Sequence, residues 1–422
     1  MDKYLQTTSE LFDLQKFAVK LGLENITALA SHFNNPHLTY PSIHIAGTNG
    51  KGSTAFYISK LLEICGLNVG LFTSPHLIDF RERIRVNSKL IDKEYVKHFW
   101  DDIKSKVFDL KATFFDTTTL MAFKYFADHN VDIAIFETGL GGRLDSTNIL
   151  QSQFAVLTPV SFDHQKQLGN NLTSISKEKA GIIKQNSKIF SSVQHSNTLK
   201  VFRSYSKSSD FYYLPENYSV TILNWTLKGI SFKLSSKKKQ QDWFFTLPTF
   251  ASYQVENFAL AFFVTKEYCK TMQIDFPTKK ISVLMEKINW PGRLQMISKY
   301  PNIIFDVSHN LSGIKKTILA LSRLIDMQRT HLLLGIVNDK DANSIVHFLS
   351  GKFKSVIVTE PDTNRKQDGE LLERLFRKHR QKVKFIKELS GAYELSSNNL
   401  ENNENLLVLG SHYLIGALMR IG

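Results

Sequence analysis

The chain has 422 residues, 42% of them apolar and 22% charged, a soluble globular composition too long for one ordinary core, so two domains are expected. No apolar run reaches the roughly 20 residues needed to span a bilayer. The first 17 residues lack a basic segment followed by an apolar one, so no secretory leader is expected and the expected compartment is the cytoplasm. The formal net charge of +14 suits either a nucleic-acid binder or an enzyme of polyanionic ligands. Its basic residues are scattered, with no zinc spacing, aromatic RNA-binding signature or basic zipper, which argues against nucleic acid as the main substrate.

In chain order, "SIHIAG" (42–47) reads as a strand running into a glycine loop. Residues 53–65 then carry apolar side chains near helical period, and Gly66 follows where a C-cap glycine belongs. "NVGLFTS" (68–74), "VDIAIFE" (131–137) and "FAVLTPV" (154–160) read as further strands, the last two as the near-continuous apolar runs of buried parallel strands. Residues 211–250 are aromatic and alternating, which predicts a small antiparallel appendage near 205–250. Within it, Lys237, Lys238 and Lys239 read as a solvated hairpin loop. After "NWPGRLQ" (289–295) strands are predicted at 302–306, 330–335, 355–360, 382–386 and 405–410, with helices between and after them. The expected class is therefore α/β: a parallel-sheet domain over 1–290 with the appendage, then a second, Rossmann-like α/β domain over 291–422. The two cysteines, Cys65 and Cys269, lack metal spacing and read as reduced, mostly buried thiols.

The glycine loop is Gly47-Thr48-Asn49-Gly50-Lys51-Gly52-Ser53-Thr54. The strict phosphate-loop spacing, G-x-x-x-x-G-K-[ST], is broken twice: the first glycine is too near the Gly-Lys pair, and Gly52 separates Lys51 from Ser53. The chemistry still holds. Glycines let backbone N–H groups turn around an anion at a helix N-terminus, Lys51 can reach a β- or γ-phosphate, and the Ser53 hydroxyl can bind magnesium.

Three later segments suit the same site. Glu137 ends a buried strand, where open α/β sheets place ligand chemistry, and supplies the hard oxygen that magnesium prefers. Asp163 and His164 follow the next strand. "SISKEKAGIIK" carries Lys177, Lys179 and Lys184; a lysine beside magnesium would be repelled unless converted to an anionic carbamate, and spacing does not select which.

Together these stretches resemble the folylpolyglutamate synthase and dihydrofolate synthase family, relatives of the Mur ligases. The resemblance spans nearly the whole chain through "GTNGKGST", "TSPHL", "FRERIRVN", "ETGLGGRLDSTN", "DHQKQLG", "EKAGIIK", "PGRLQ" and the D-x-x-H-N at 306–310. It implies a Mur-type phosphate-loop ATPase domain followed by a glutamate ligase domain. By position, Thr48, Asn49, Gly50, Lys51 and Gly52 match the loop around the ATP phosphates. Ser53, Ser74, Glu137 and His164 match magnesium ligands, and Lys179 matches the carbamylated lysine that holds a second magnesium ion. Asn257, Arg293, Asp306 and His309 match ATP contacts, with Arg293 in the expected hinge between the domains. In these ATP-contact motifs the chain departs from the family at Ala251 and Tyr253, where glycine and histidine are usual, and at Ser308 and Leu311, where alanine and proline are usual.

The reaction implied is ATP-dependent amide formation through an acyl phosphate, with L-glutamate as the incoming amine. Lys51, His164, Lys179 and Arg293 are the residues implied in catalysis. Thr113, Phe114, Phe115 and Asp116, with Leu144, Asp145 and Ser146, match the segments that bind dihydropteroate in bifunctional bacterial members, which implies use of both dihydropteroate and tetrahydrofolate. The family usually has glutamate where Asp116 stands. A monofunctional folylpolyglutamate synthase is the alternative. A Mur-type ligase of nucleotide-linked precursors fits less well, because a loop beginning at residue 47 leaves no room for its usual N-terminal domain. Small-molecule partners, a monomer, and no nucleic-acid or membrane partner complete the expectation.

Overall fold

The computed structural model describes residues 3–14, 22–398 and 400–421. Strands β1 (Ser42–Ala46), β2 (Val69–Phe72), β3 (Ile84–Val86), β4 (Lys89–Leu90), β5 (Ile133–Glu137), β6 (Phe154–Leu157), β7 (Lys188–Ser191) and β8 (Phe211–Tyr213) form one sheet in the order β4-β3-β2-β5-β1-β6-β7-β8. β1, β2, β5 and β6 are buried along their whole lengths, as strands covered on both faces must be. From β2 to β8 the pairing is parallel, and β3 and β4 add an antiparallel edge. The register aligns Ile45 with Glu137 and Ala46 with Leu157. The loops leaving the carboxyl ends of β1, β5 and β6 therefore start side by side, which is where an open α/β sheet binds its ligands.

Strands β9 (Tyr218–Thr226), β10 (Gly229–Ser236) and β11 (Gln241–Leu247) form a separate three-stranded sheet in the order β11-β10-β9. Strict alternation buries Ile230, Phe232 and Leu234 on β10 and Trp243, Phe245 and Leu247 on β11. The exposed Lys237, Lys238 and Lys239 lie in the turn between these two strands. The sheet is shorter than predicted. The aromatic segment Phe211–Tyr213 does not join it but adds β8 to the edge of the large parallel sheet, where Tyr212 stacks on Phe190 of β7 at 4.9 Å.

Beyond Ser282, strands β12 (Gln295–Lys299), β13 (Asn302–Asp306), β14 (Thr330–Leu334), β15 (Ser355–Val358), β16 (Val383–Phe385) and β17 (Asn405–Leu409) make a six-stranded sheet in the order β12-β13-β17-β14-β15-β16. All neighbours are parallel except β12, which pairs antiparallel with β13. Among the described residues five α-helices follow the strands, one of them Leu311–Leu321, whose Ile314, Ile318 and Leu321 pack into a core with Ile304, Leu332, Leu334, Val356 and Leu407. The expected α/β class holds in both sheets. β12 was not foreseen, because its pattern is short and polar before the turn at Tyr300.

The chain divides into two compact units: Met1–Val220 with Leu234–Trp243 and Glu256–Ile281, and Thr221–Lys233 with Phe244–Val255 and Ser282–Gly422. Among the described residues no helix is long and apolar enough to cross a membrane.

Candidate active site

β1 delivers the chain to Gly47, and helix Lys51–Ile64 begins four residues later. The Thr48 and Asn49 amides donate to the Pro159 carbonyl at 2.9 and 3.3 Å. The Thr48 hydroxyl donates to the Ser161 carbonyl and accepts from the Ser161 amide, both at 3.1 Å, and the Asn49 side chain donates to Ser161 Oγ at 3.2 Å. The loop is thus tied to the one leaving β6. Gly50, the residue before the helix, has φ +86°, and a Cβ there would lie 2.5 Å from Asn257 Oδ1. Both the turn and the close approach of Asn257 require glycine at that position. The helix then points its electropositive N-terminus out of the loop.

Glu137 closes β5 and is buried. Its Oε2 accepts the Ser74 amide at 3.1 Å, and its Oε1 lies 3.8 Å from Lys51 Nζ. A Cβ on Gly52 would come within 3.0 Å of Oε2. The extra glycine that breaks the strict spacing is therefore where the carboxylate approaches the helix backbone. Ser53, next along, is buried.

Lys179 comes from helix Leu172–Ala180 and is buried, whereas Lys177 is exposed and Lys184 half-buried. Its Nζ donates to the Gly47 carbonyl at 2.7 Å. Burial, with the positive charge of Lys51 as the next cause, pushes its amine down from the ordinary 10.5 to about 7, against the opposing pull of Asp163 and Asp145. An amine that loses its proton near neutrality is the nucleophilic form that adds carbon dioxide. His164 adopts a left-handed conformation at φ +49°, its amide donates to Asp163 Oδ1 at 2.9 Å, and its Nε2 lies 3.9 Å from the same oxygen.

The structure thus brings Lys51, Gly52, the Ser74 backbone and Glu137 into direct contact, with Lys179 joined through Gly47. His164 lies beside Asp163. Among the described residues no three His, Cys, Asp or Glu side chains group as a metal cage. Glu137 supplies one buried carboxylate, and a hard-oxygen ligand of this kind is what magnesium uses while keeping most of its waters.

Thr113 and Asp116 close a reciprocal cap on helix Phe114–Asp128. Asp116 Oδ2 accepts from the Thr113 amide and hydroxyl at 2.9 and 2.8 Å, and Oδ1 accepts from Ser146 Oγ at 2.6 Å. Phe115 lies over Gly139 in the loop after Glu137, where a Cβ would meet its ring at 2.6 Å. Phe114 stacks on Phe12 at 5.4 Å. Leu144 is half-buried. Asp145 is fully buried and accepts from the Leu140 and Thr147 amides and from Thr147 Oγ1; burial raises its carboxyl despite those bonds.

Two side chains of this region lay inside recognisable motifs and were not singled out. Arg83, from "FRERIRVN", is buried, donates Nε to His76 Nδ1 at 2.8 Å, and sets its guanidinium 5.1 Å from the Phe114 ring centre. His76, from "TSPHL", packs on Phe12 at 5.8 Å. A third, His44 on β1, hydrogen-bonds Thr147 at 2.7 Å and is held neutral by burial first and Lys184 second, which push it down to about 3. Nothing in the strand sequence distinguishes it from a core residue.

In the second unit, Asp306 ends β13 fully buried. Its Oδ1 accepts from the Ser308 amide and Thr317 hydroxyl, and its Oδ2 from the Tyr253 hydroxyl and Leu294 amide, all at 2.8–3.0 Å. It anchors the backbone next to Arg293, whose Nη2 lies 3.3 Å from His412 Nε2. His309 bonds the Val307 carbonyl through Nδ1 and packs on His412 at 5.6 Å.

Comparison with known proteins matches a Mur ligase middle domain over residues 45–265 and a Mur ligase glutamate ligase domain over 292–412. The dihydrofolate synthase/folylpolyglutamate synthase of Bacillus subtilis is 32% identical over 81% of this chain and 82% of its own length. The folylpolyglutamate synthase of Lacticaseibacillus casei is 31% identical over 86% of each. A probable bifunctional folylpolyglutamate synthase/dihydropteroate synthase of Haloferax volcanii is 28% identical, and the chain spans only 50% of its length. Mycobacterium tuberculosis folylpolyglutamate synthase, solved with ADP and AMPPCP, superposes with a TM-score of 0.88 at 26% identity, covering 99% of this chain and 98% of that one. The chain belongs to the dihydrofolate synthase/folylpolyglutamate synthase family of ATP-dependent ligases, within the Mur ligase superfamily.

Proposed function

We propose that the chain joins L-glutamate to a folate-type carboxylate at the expense of ATP, using both dihydropteroate and tetrahydrofolate as acceptors. The observation that carries this is the packing of Gly52 against Glu137 with Lys51 beside it. It sets a cation, a buried carboxylate and a helix N-terminus around one point at the carboxyl edge of a parallel sheet. The nucleotide complexes known for the tuberculosis relative support ATP as the phosphoryl donor.

A carboxylate resists attack because of its charge and its poor leaving group. Phosphoryl transfer from ATP makes an acyl phosphate, the glutamate amine attacks it, and phosphate departs. In this assignment the amides at the start of helix Lys51–Ile64 cradle the phosphates and Lys51 neutralises charge building on the transferred group. Magnesium, held by Ser53, Ser74, Glu137 and His164 with carbamylated Lys179 for a second ion, would supply further charge neutralisation when present. The ammonium of Lys179 would repel such an ion; its lowered proton affinity favours the neutral amine from which a carbamate forms. Arg293, Asp306 and His309 are assigned nucleotide contacts as a separate proposal. Asp306 serves in it by fixing the backbone beside Arg293.

Use of dihydropteroate is supported by the ordered segment of Thr113, Phe114, Phe115 and Asp116 against Ser146. We assign the enzyme to the cytoplasm as a monomer acting on small molecules. The deciding experiment supplies ATP, Mg²⁺ and L-glutamate with dihydropteroate or tetrahydrofolate and identifies products by mass. Glutamylation of both is expected. Turnover of tetrahydrofolate alone would leave a monofunctional folylpolyglutamate synthase. Phosphate release with neither would refute the folate assignment and reopen a Mur-type amino-acid ligase.

A further inference from the structure

Cys65 and Cys269 stand 204 residues apart in sequence, yet Cys269 Sγ donates to Cys65 Sγ at 3.7 Å. Cys65 caps the C-terminal end of helix Lys51–Ile64, the helix that begins at the phosphate loop, and is half-buried. Cys269 is buried on helix Ser252–Thr271, which also carries Asn257. The two helices meet at three levels. At one end the Gly50 turn lies against Asn257, midway the Tyr57 ring meets the edge of Phe258 at 5.7 Å, and at the far end the two sulfurs face each other.

We propose that Cys65 and Cys269 form a peroxide-sensitive dithiol that closes into a disulfide and clamps the phosphate-loop helix to the helix bearing Asn257. Bonded sulfurs lie about 2.05 Å apart, so closure needs a movement within reach of side-chain rotation and a small helix shift. Cys65 is the accessible partner. The S–H bond it accepts from Cys269 is the leading influence lowering its thiol, while the same bond and burial raise that of Cys269. This sorts the two thiols into an attacking and a resolving partner.

The chemistry balances with hydrogen peroxide as oxidant. The Cys65 thiolate attacks one peroxide oxygen, the O–O bond breaks, hydroxide leaves, and Cys65 becomes a sulfenic acid. Cys269 sulfur then attacks Cys65 Sγ, the S–O bond breaks, and its proton leaves with the departing hydroxide as water. Overall two thiols and one peroxide give one disulfide and two waters, and a thiol reductant reverses the closure.

The test treats the reduced full-length protein with hydrogen peroxide and maps peptides without reduction. The expected result is loss of both thiols, a single crosslink between the Cys65 and Cys269 peptides, and a thermal midpoint raised by several degrees that dithiothreitol returns. In the near-isosteric Cys269→Ser variant, Cys65 should proceed to sulfinic acid at peroxide levels that wild type survives. Sulfinic acid on wild-type Cys65 with the Cys269 thiol intact would overturn the proposal. Disulfide-linked dimers would do the same, as would a crosslink that lowers the midpoint.

Discussion

The Gly52→Ala substitution separates folding from function. Gly52 lies inside the first turn of helix Lys51–Ile64 without a left-handed conformation, so alanine fits the backbone there. In folding terms the change is favourable. Alanine is a better helix former than glycine by up to about 1 kcal/mol, largely because it restricts the unfolded chain. The added methyl, however, would sit 3.0 Å from Glu137 Oε2, so the carboxylate must yield by a few tenths of an ångström. That movement is taken from a group already fixed by the Ser74 amide at 3.1 Å and by Lys51 at 3.8 Å. Misplacement by about 1 Å in an active site can cost roughly 100-fold, so a shift of this size predicts a loss on the order of tenfold.

The expected outcome is therefore a thermal midpoint equal to or above wild type, with kcat/KM for ATP down about tenfold in a glutamate-dependent phosphate-release assay. Wild-type kcat/KM in a folded Gly52→Ala protein would refute the placement of Glu137 in the reacting site. The neighbouring Gly50→Ala serves as contrast. Its φ of +86° costs a side chain about 1–2 kcal/mol, and its methyl would sit 2.5 Å from Asn257 Oδ1, so it should lose both stability and activity.

Lys179→Ala should remove most activity while the exposed Lys177→Ala should not, and carbon-13-labelled bicarbonate should mark Lys179 as a carbamate; equal activity of Lys179→Ala and wild type would sink that assignment. In the uncarbamylated protein, the unfolded chain keeps this proton up to about 10.5 and the folded chain releases it near 7. The unfolded state thus binds more protons between those values, and this group's contribution to stability rises with pH across that window, measurable by denaturant titration in carbon-dioxide-free buffer. Asp116→Ala removes a helix cap and the partner of Ser146, so a loss of about 2 kcal/mol is expected. A larger fall in dihydropteroate than in tetrahydrofolate turnover should accompany it; equal falls would separate this segment from acceptor choice. Asp306→Ala leaves four donors unsatisfied in a fully buried position, so a loss of at least about 3 kcal/mol is expected. Asp306→Asn, which keeps acceptor capacity on one oxygen, should fall between, and an unchanged midpoint in both variants would remove its anchoring role.

The strands that position the candidate site were legible because parallel strands are buried on both faces, so "VDIAIFE" and "FAVL" appear as near-continuous apolar runs with candidate functional groups after them. The segment Phe211–Tyr213 was misread for a related reason. Three aromatics beside an alternating stretch look like part of the same ribbon, and only stacking on Phe190 assigns them to the parallel sheet. β12 was missed because an edge strand of five residues that mixes polar Gln295, Ser298 and Lys299 with an exposed Ile297 has no period strong enough to read.

The site was legible in its residue types and illegible in their environment. Lys177, Lys179 and Lys184 are equivalent as letters; burial and the Gly47 carbonyl distinguish one of them. Asp306 reads as a ligand contact in sequence, yet its four donors show that its first task is to hold Tyr253, Leu294, Ser308 and Thr317 together. The departure at Tyr253 is absorbed there, since the phenol donates its hydroxyl to the Asp306 carboxylate at 3.0 Å. Gly52 shows the same division most sharply. In one dimension it breaks a spacing rule, and in three it is the absent side chain that lets Glu137 approach the helix beside Lys51.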